Sequence, residues 1–443
     1  MKNFFYIVFL ILFNISTFGQ SYFFNSPEGF GAATTGGSNA SPVIVSTYTE
    51  LKNNITAADA RVILVSGQIT IPFGQPISAV IKNKSIIGLP GAKLINENQS
   101  NPGAGIIYLK SGSNNVIIRN LIFVGPGAYD IDGQDNLTSD GCTNLWVDHC
   151  EFQDGQDGNF DIKGQSDNVT VSWCKFTYLK PPLAGGSGGS NDHRFSDLLG
   201  SSSTDYPADG NFSITFQNCY WAEGCKERMP RARNAQLHIL NCYYKTSVSS
   251  SLAIGLGGGT NNSICYVQNT HFAQISNIYR SYVSTDGGTV GINFDNCLGN
   301  IPSNAGTVAA PSYSASIMPV TEVAGRVSDF SCGAGATLQV TNTGIITQGT
   351  CSNLAISEID GNKNIRVYPT VAKNYINFDF NNKTEGNTSI EIYAISGQKI
   401  IAYNKISNFI NPIKINVENL KKGIYLYSLK NNEYNTSGKF IKE

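Results

Sequence analysis

Three clusters of side chains in this chain have types and spacings suited to chemistry. The first is acidic: Asp130, Asp132, Asp135 and Asp140, then Trp146-Val147-Asp148-His149, then Asp154, Asp157 and Asp161. The second overlaps it and runs from Asp157 through Asp161 to Lys163. The third is basic: Arg228, Arg231 and Arg233 around Pro230. Carboxylates crowded together are costly unless a cation neutralises them, and an all-oxygen set suits a hard ion such as Ca²⁺. In an extended segment Arg231 and Arg233 point to the same side. Paired guanidinium groups of that kind suit a polymer of repeated carboxylates. Taken singly, the acidic run also fits a solvated turn and the basic triplet a surface ion-pair site. What decides between these readings is whether the fold brings the clusters together.

The elements that would do so repeat. Seven segments share one pattern: a strand of alternating residues, a polar residue, a small residue, one spacer and usually an aromatic. They are 115–124, 144–152, 168–176, 213–221, 236–244, 264–272 and 291–299. The small position holds Leu121, Cys150, Cys174, Cys219, Cys242, Thr270 and Cys297, at gaps of 29, 24, 45, 23, 28 and 27 residues. A period in the twenties with strands in every repeat is that of a parallel β-helix, whose coils stack at about 4.8 Å and line equivalent side chains into ladders. The gap of 45 corresponds to two turns or to one turn carrying a long loop. The cysteines are then a buried ladder of small apolar groups, since no CxxC or Cys/His cluster points to metal or redox chemistry. The aromatics form a second ladder in the core. Asn218, Asn241, Asn269 and Asn296 suit a turn in which side-chain amides stack. Cys332 and Cys351 lie outside the ladder and could close a small disulfide loop, whereas Cys142, Cys225 and Cys265 have no evident partner.

Composition agrees with an all-β chain. Charged residues make up only 14% while Gly reaches 45, a turn-rich texture that disfavours long amphipathic helices. With Lys+Arg at 31 and Asp+Glu at 32, the totals show no basic surface for nucleic acid. Met1-Lys2-Asn3 followed by the apolar run Phe4–Phe13 reads as a secretory signal ending at about Gly19, too short to span a membrane. No later stretch is long and apolar enough to do so. The expected organisation is a signal peptide over 1–19, a β-helix catalytic domain over 20–351, a linker over 352–363 and a small β-sandwich over 364–443. The chain is expected to act as a monomer outside the cytoplasm.

The motifs Trp146–His149, Asp157-x-x-x-Asp161-Ile162-Lys163 with Val169–Trp173 behind it, and Arg228-x-Pro230-x-x-Arg233 occur in this order on the coil period. In that combination the chain resembles the polysaccharide lyase family 1 pectate lyases over about Tyr48–Asn300. The resemblance implies a right-handed parallel β-helix that cleaves polygalacturonate by calcium-assisted β-elimination. It assigns Asp135, Asp157 and Asp161 to the metal. The family often has a further carboxylate two residues before Asp135. That position is Gly133 here, so that the site either borrows Asp132 beside it or is weaker. Arg228 matches the residue assigned as base, although a guanidinium normally stays protonated. Arg233 matches a binder of substrate carboxylate, and Lys163 falls near the metal. A second basic binder precedes Leu198–Ser202, which points to Arg194, with Lys180 as the rival. The neighbouring readings are a metal-independent pectin lyase, a polygalacturonase-type hydrolase and a non-catalytic β-helix adhesin. Residues 364–443 resemble the sorting domain of type IX secretion substrates of Bacteroidetes, through Val367-Tyr368-Pro369, Ile392-Tyr393-x-x-x-Gly397, Gly423-Ile424-Tyr425 and Lys439–Lys442. This implies an export machinery as partner.

Overall fold

In a computed structural model the described residues are 22–99, 103–131, 135–351, 365–369, 371–380, 388–394, 398–406, 412–430 and 435–443. The signal segment, the linker and Asp132 lie outside them. The chain divides into two compact units, one ending at Ser352 and the other beginning at Asn353.

The first unit is a parallel β-helix. Three parallel sheets run along it, of ten, eight and eight strands, and each coil adds one strand to each sheet. The repeat segments of the sequence split in two. Thr143–Asp148, for example, belongs to the first sheet and Glu151–Gln153 to the third. The corner between them is one residue in the left-handed region. Asn120, Asn218, Asn241, Asn269 and Asn296 hold it with φ of 57, 57, 53, 45 and 49°, a conformation that Asn tolerates better than most residues. Their amides form the expected ladder: Asn241 Nδ2 donates to Asn218 Oδ1 at 3.0 Å, and Asn296 Nδ2 to Asn269 Oδ1 at 3.3 Å. His149 and Trp173 occupy the same corner on intervening coils and stack on each other at 5.6 Å.

Beside the corner the thiols form their own ladder. Cys150, Cys174, Cys219, Cys242 and Cys297 each donate to a carbonyl of the preceding coil at 3.4–3.6 Å. Burial raises the Cys174 and Cys219 thiols well above their ordinary range, so they act as packing groups and not as nucleophiles. Phe123, Phe152, Phe176, Trp221, Tyr244 and Phe272 stack in sequence, with ring centroids 4.8, 5.3, 5.4, 4.6 and 4.6 Å apart. Cys332 and Cys351 are joined by a disulfide.

The gap of 45 residues is a single turn. Ser172 pairs directly with Gln217 on the next coil, so the excess length lies in loops, a long one over 178–197 and a shorter one over 200–211. The long loop leaves the third sheet and enters the second, on the side where the chemistry lies. One end of the core is closed by the helix Tyr48–Ile55, which buries Leu51 and Ile55 and is fixed by a capping box between Thr47 and Glu50.

The second unit is a small β domain of a three-stranded and a five-stranded sheet. Its pairing is antiparallel except between Val371–Ala372 and the final strand. Ile376, Phe378, Ile390, Ile392, Leu429 and Phe440 form its core.

Candidate active site

The second sheet carries the site on its outer face. On the strand Phe160–Lys163, Phe160 and Ile162 point into the core, so Asp161 and Lys163 alternate outward. Register then fixes the neighbours. Thr138 lies opposite Asp161 on the preceding coil. On the following coils Ile162 pairs with Leu199, and Leu199 with Ala232. Arg231 and Arg233 therefore fall in the columns of Asp161 and Lys163, two coils on, or about 10 Å away. Loops entering this sheet from the third deliver the remaining groups: Asp157 from 154–159, Lys180, His193 and Arg194 from 178–197, and Arg228 from 222–230.

Asp135, Asp157 and Asp161 come together. Asp135 is buried and accepts the Thr138 hydroxyl at 2.9 Å. Burial, then the charges of Asp161 and Asp157, hold its carboxyl well above the usual range. Asp161 accepts the Leu198 N–H at 3.0 Å. Its carboxyl is pushed up to about 6, chiefly by burial, with Arg228 opposing and Asp157 adding to the rise. A Cβ placed on Gly158 would stand 2.7 Å from Asp135 Oδ1 and 3.3 Å from Asp161 Oδ1, so this glycine borders the space between the two carboxylates. Buried, mutually repelling and oxygen-only, the set fits a hard divalent cation. Gly158→Ala fills that space and should weaken the binding of any divalent cation there about tenfold or more, an effect of at least ~1.4 kcal/mol. Calorimetric titration checks it. Unchanged affinity would place the ion elsewhere.

The cations face this group. Lys163 Nζ lies 5.8 Å from the Tyr108 ring and draws both Asp135 and Asp161 downward. Arg228 has a left-handed backbone, φ 56°, which is costly for a non-glycine residue and aims its side chain off the strand path. Its guanidinium lies 4.8 Å from the Phe195 ring. A cleft of about 430 Å³ opens beside it, lined by Phe195, Leu198, Arg228, Arg231, Arg233, Tyr282 and Asp286 among others. Asp286 pairs with both Arg231 and Arg233, at 3.2 Å for the latter, and Arg233 also donates to the Gly200 carbonyl at 2.8 Å. Arg231 stacks on Tyr282 at 3.7 Å.

A profile described as pectate lyase matches residues 25–337 of the chain. The chain belongs to the pectate lyase family. A second profile, the secretion system C-terminal sorting domain, matches residues 366–443. A pectate trisaccharide-lyase of Thermotoga maritima is 33% identical over 242 residues, covering 52% of this chain and 56% of that protein. The chain thus spans little more than half the length of this curated relative. A pectate trisaccharide-lyase of Bacillus licheniformis is 29% identical over 316 residues, covering 67% of this chain and 83% of that one. Among solved structures, a thermostable pectate lyase superposes with a TM-score of 0.52 at 22% identity, over 70% of this chain and 97% of its own. A Bacillus sp. pectate lyase in complex with trigalacturonate gives 0.50 at 22%, over 68% and 96%. These two likenesses speak for the fold.

Not every residue read from the sequence reaches the cleft unencumbered. Arg194 is held in a two-pronged ion pair with Asp192, at 2.7 and 2.8 Å. Lys180 Nζ donates to the Gly125 carbonyl at 2.9 Å. Asp148 and His149, counted with the acidic cluster, sit on and beside the first sheet. Asp148 is buried against Arg119 at 2.6 Å and Ser172 at 2.6 Å, so the Trp-Val-Asp-His motif is structural. Conversely, Phe195, Tyr282 and Asp286 line the cleft without having been singled out, and Arg231, read only as part of the basic triplet, lines it too. For Arg231 the alternation with Arg233 was a usable signal. For Asp286, more than fifty residues away in sequence, there was none.

Proposed function

We propose that the β-helix cleaves α-1,4-linked polygalacturonate by β-elimination, giving unsaturated oligogalacturonides. The observation that carries this reading is one sheet face on which three crowded carboxylates stand beside Lys163 and Arg228, with Arg231 and Arg233 two coils away. Polygalacturonate bears a carboxylate on C5 of each sugar, and loss of the C5 proton places a second negative charge next to it. Catalysis therefore requires preorganised positive charge around that carboxylate. Calcium held by Asp135, Asp157 and Asp161 would supply Lewis-acid polarisation of the carboxylate. Arg233 and Lys163 bind neighbouring uronates, with Arg194 once its pair with Asp192 yields to substrate. Arg228 in its neutral form takes the C5 proton, and the C4–O bond then breaks, its electron pair leaving on the oxygen of the departing sugar, which picks up a proton. In this reading residues 1–19 are a secretory leader, and the sorting domain directs type IX export to the cell surface or medium.

The deciding experiment follows ultraviolet absorbance on polygalacturonate with and without a chelator, in parallel with reducing ends. Elimination creates a conjugated double bond, and hydrolysis does not. New reducing ends without absorbance would mark a hydrolase, and absorbance indifferent to chelator would remove the calcium. A chain ended after Cys351 should retain kcat/KM within about twofold and an unchanged Tm for the β-helix transition. The β-helix ladders and the disulfide all lie before that point. Unfolding of the shortened chain would show that residues 352–443 are part of the catalytic fold.

A further inference from the structure

The Gly-rich insert Ala184–Ser190 is not used by the proposed reaction, yet it is tightly built. It wraps Asp130. Gly188 N donates to the Asp130 carbonyl at 2.9 Å and Ser190 N to Asp130 Oδ2 at 2.6 Å. A Cβ on Gly186 would stand 2.0 Å from the Asp130 carbonyl, and one on Gly188 2.0 Å from Asp130 Oδ1. No side chain fits at either position. The insert therefore fixes one oxygen of Asp130 by a backbone hydrogen bond, and it leads directly into His193.

His193 is 4% exposed. Its Nδ1 lies 3.2 Å from Asp130 Oδ1 and its Nε2 3.1 Å from Asp157 Oδ1. Despite these short distances neither ring nitrogen makes a hydrogen bond. A buried imidazole is thus aimed between two carboxylates and satisfied by neither. One ligand atom from each of Asp130, Asp157 and His193 can be chosen so that all lie within 4.8 Å of one another.

We propose that Asp130, Asp157 and His193 form a second divalent-metal site, distinct in chemistry from the oxygen-only set and sharing Asp157 with it. The nitrogen donor decides the class of ion. Imidazole suits Zn²⁺ and neighbouring transition ions, and a mixed carboxylate and imidazole set also admits Mn²⁺, whereas Ca²⁺ takes oxygen ligands. One ring nitrogen binds the ion, and one oxygen from each of the two carboxylates completes the set. Three protein ligands leave a position open for water or for a uronate oxygen.

The test uses untagged, metal-stripped full-length chain. Calorimetric titration with Zn²⁺ should show a site that His193→Gln and Asp130→Asn each weaken by about 10–100-fold. Pulsed EPR of the Mn²⁺-loaded wild-type protein should show coupling to an imidazole nitrogen, a readout that does not depend on any variant folding. Absence of that coupling, or Zn²⁺ affinity unaltered by both substitutions, overturns the site and leaves His193 an ion-paired side chain. Its failure is separable from failure of the proposed reaction. Chelator-sensitive elimination restored by calcium alone, with no nitrogen coupling, removes only this site. Nitrogen coupling in a protein without elimination activity removes only the reaction.

Discussion

Replacing Asp161 with Asn should abolish calcium-dependent elimination on polygalacturonate, lowering kcat/KM by about a thousandfold or more, while leaving the β-helix folded. The magnitude follows from the several kcal/mol that a Lewis-acid cation contributes, at about 1.4 kcal/mol per tenfold in rate. The fold should survive because Asn keeps the oxygen that accepts the Leu198 N–H at 3.0 Å. The substitution also removes a charge that the calcium-free protein holds at a cost. The sign can be worked out from the carboxyl's position at about 6, above its ordinary 3.8. Between those values the folded state binds more protons than the unfolded one, so stability falls as pH rises through that window. Above about 6 the full cost is present. Calcium-free wild type should therefore melt at a higher temperature at pH 5 than at pH 8, and Asp161→Asn should reduce the difference, the raised Asp135 carboxyl supplying the remainder. Calcium competes with the same proton, so its affinity should climb as pH rises through about 6. Thermal scans in chelator and calcium titrations at both pH values check this. Chelator-sensitive activity surviving undiminished in the variant would remove Asp161 from the metal.

The ladders were legible because they depend on a period and on side-chain type alone. Cys150, Cys174, Cys219 and Cys242 recur where a coil leaves room for a small group. Phe152, Phe176, Trp221 and Tyr244 recur two residues later, where a ring can stack on the ring below. The sequence left open whether the 45-residue gap was one coil or two, since only strand pairing distinguishes them, and the Ser172–Gln217 register resolves it as one. Proximity in sequence misled where the chain turns a corner. Asp148 lies nearer in sequence to Asp154 than Asp135 does to Asp161, yet it faces the first sheet and Arg119. Asp286 was illegible for a different reason. It reaches Arg231 and Arg233 because Gly255 and Gly257 leave the sheet face bare beneath it. A Cβ on Gly257 would stand 1.8 Å from Asp286 Oδ2, and one on Gly255 2.9 Å from the Tyr282 ring. Those glycines are indistinguishable in sequence from turn glycines.

Arg228→Lys and Arg233→Lys should fail in different ways, and the difference tests the assignment of the proton. Arg233 lines the cleft and is held there by Asp286 and the Gly200 carbonyl. A lysine there keeps the charge but loses the two-pronged geometry. Arg233→Lys should raise KM by about tenfold and leave most of kcat, since the lost contact serves bound substrate and transition state alike. Arg228 stands differently. Its left-handed backbone and its packing against Phe195 hold the guanidinium at a fixed point beside Asp161. Lysine preserves the charge that Asp161 feels but places its nitrogen elsewhere and lacks the planar face that meets the Phe195 ring. A displaced proton acceptor costs about 10²–10⁴ in rate even when binding survives. Arg228→Lys should therefore lose that factor in kcat with KM within about threefold of wild type, measured on polygalacturonate at saturating calcium. A variant with near-normal kcat and a raised KM would make Arg228 a binder, and the search for the base would then pass to Lys163 and Arg194.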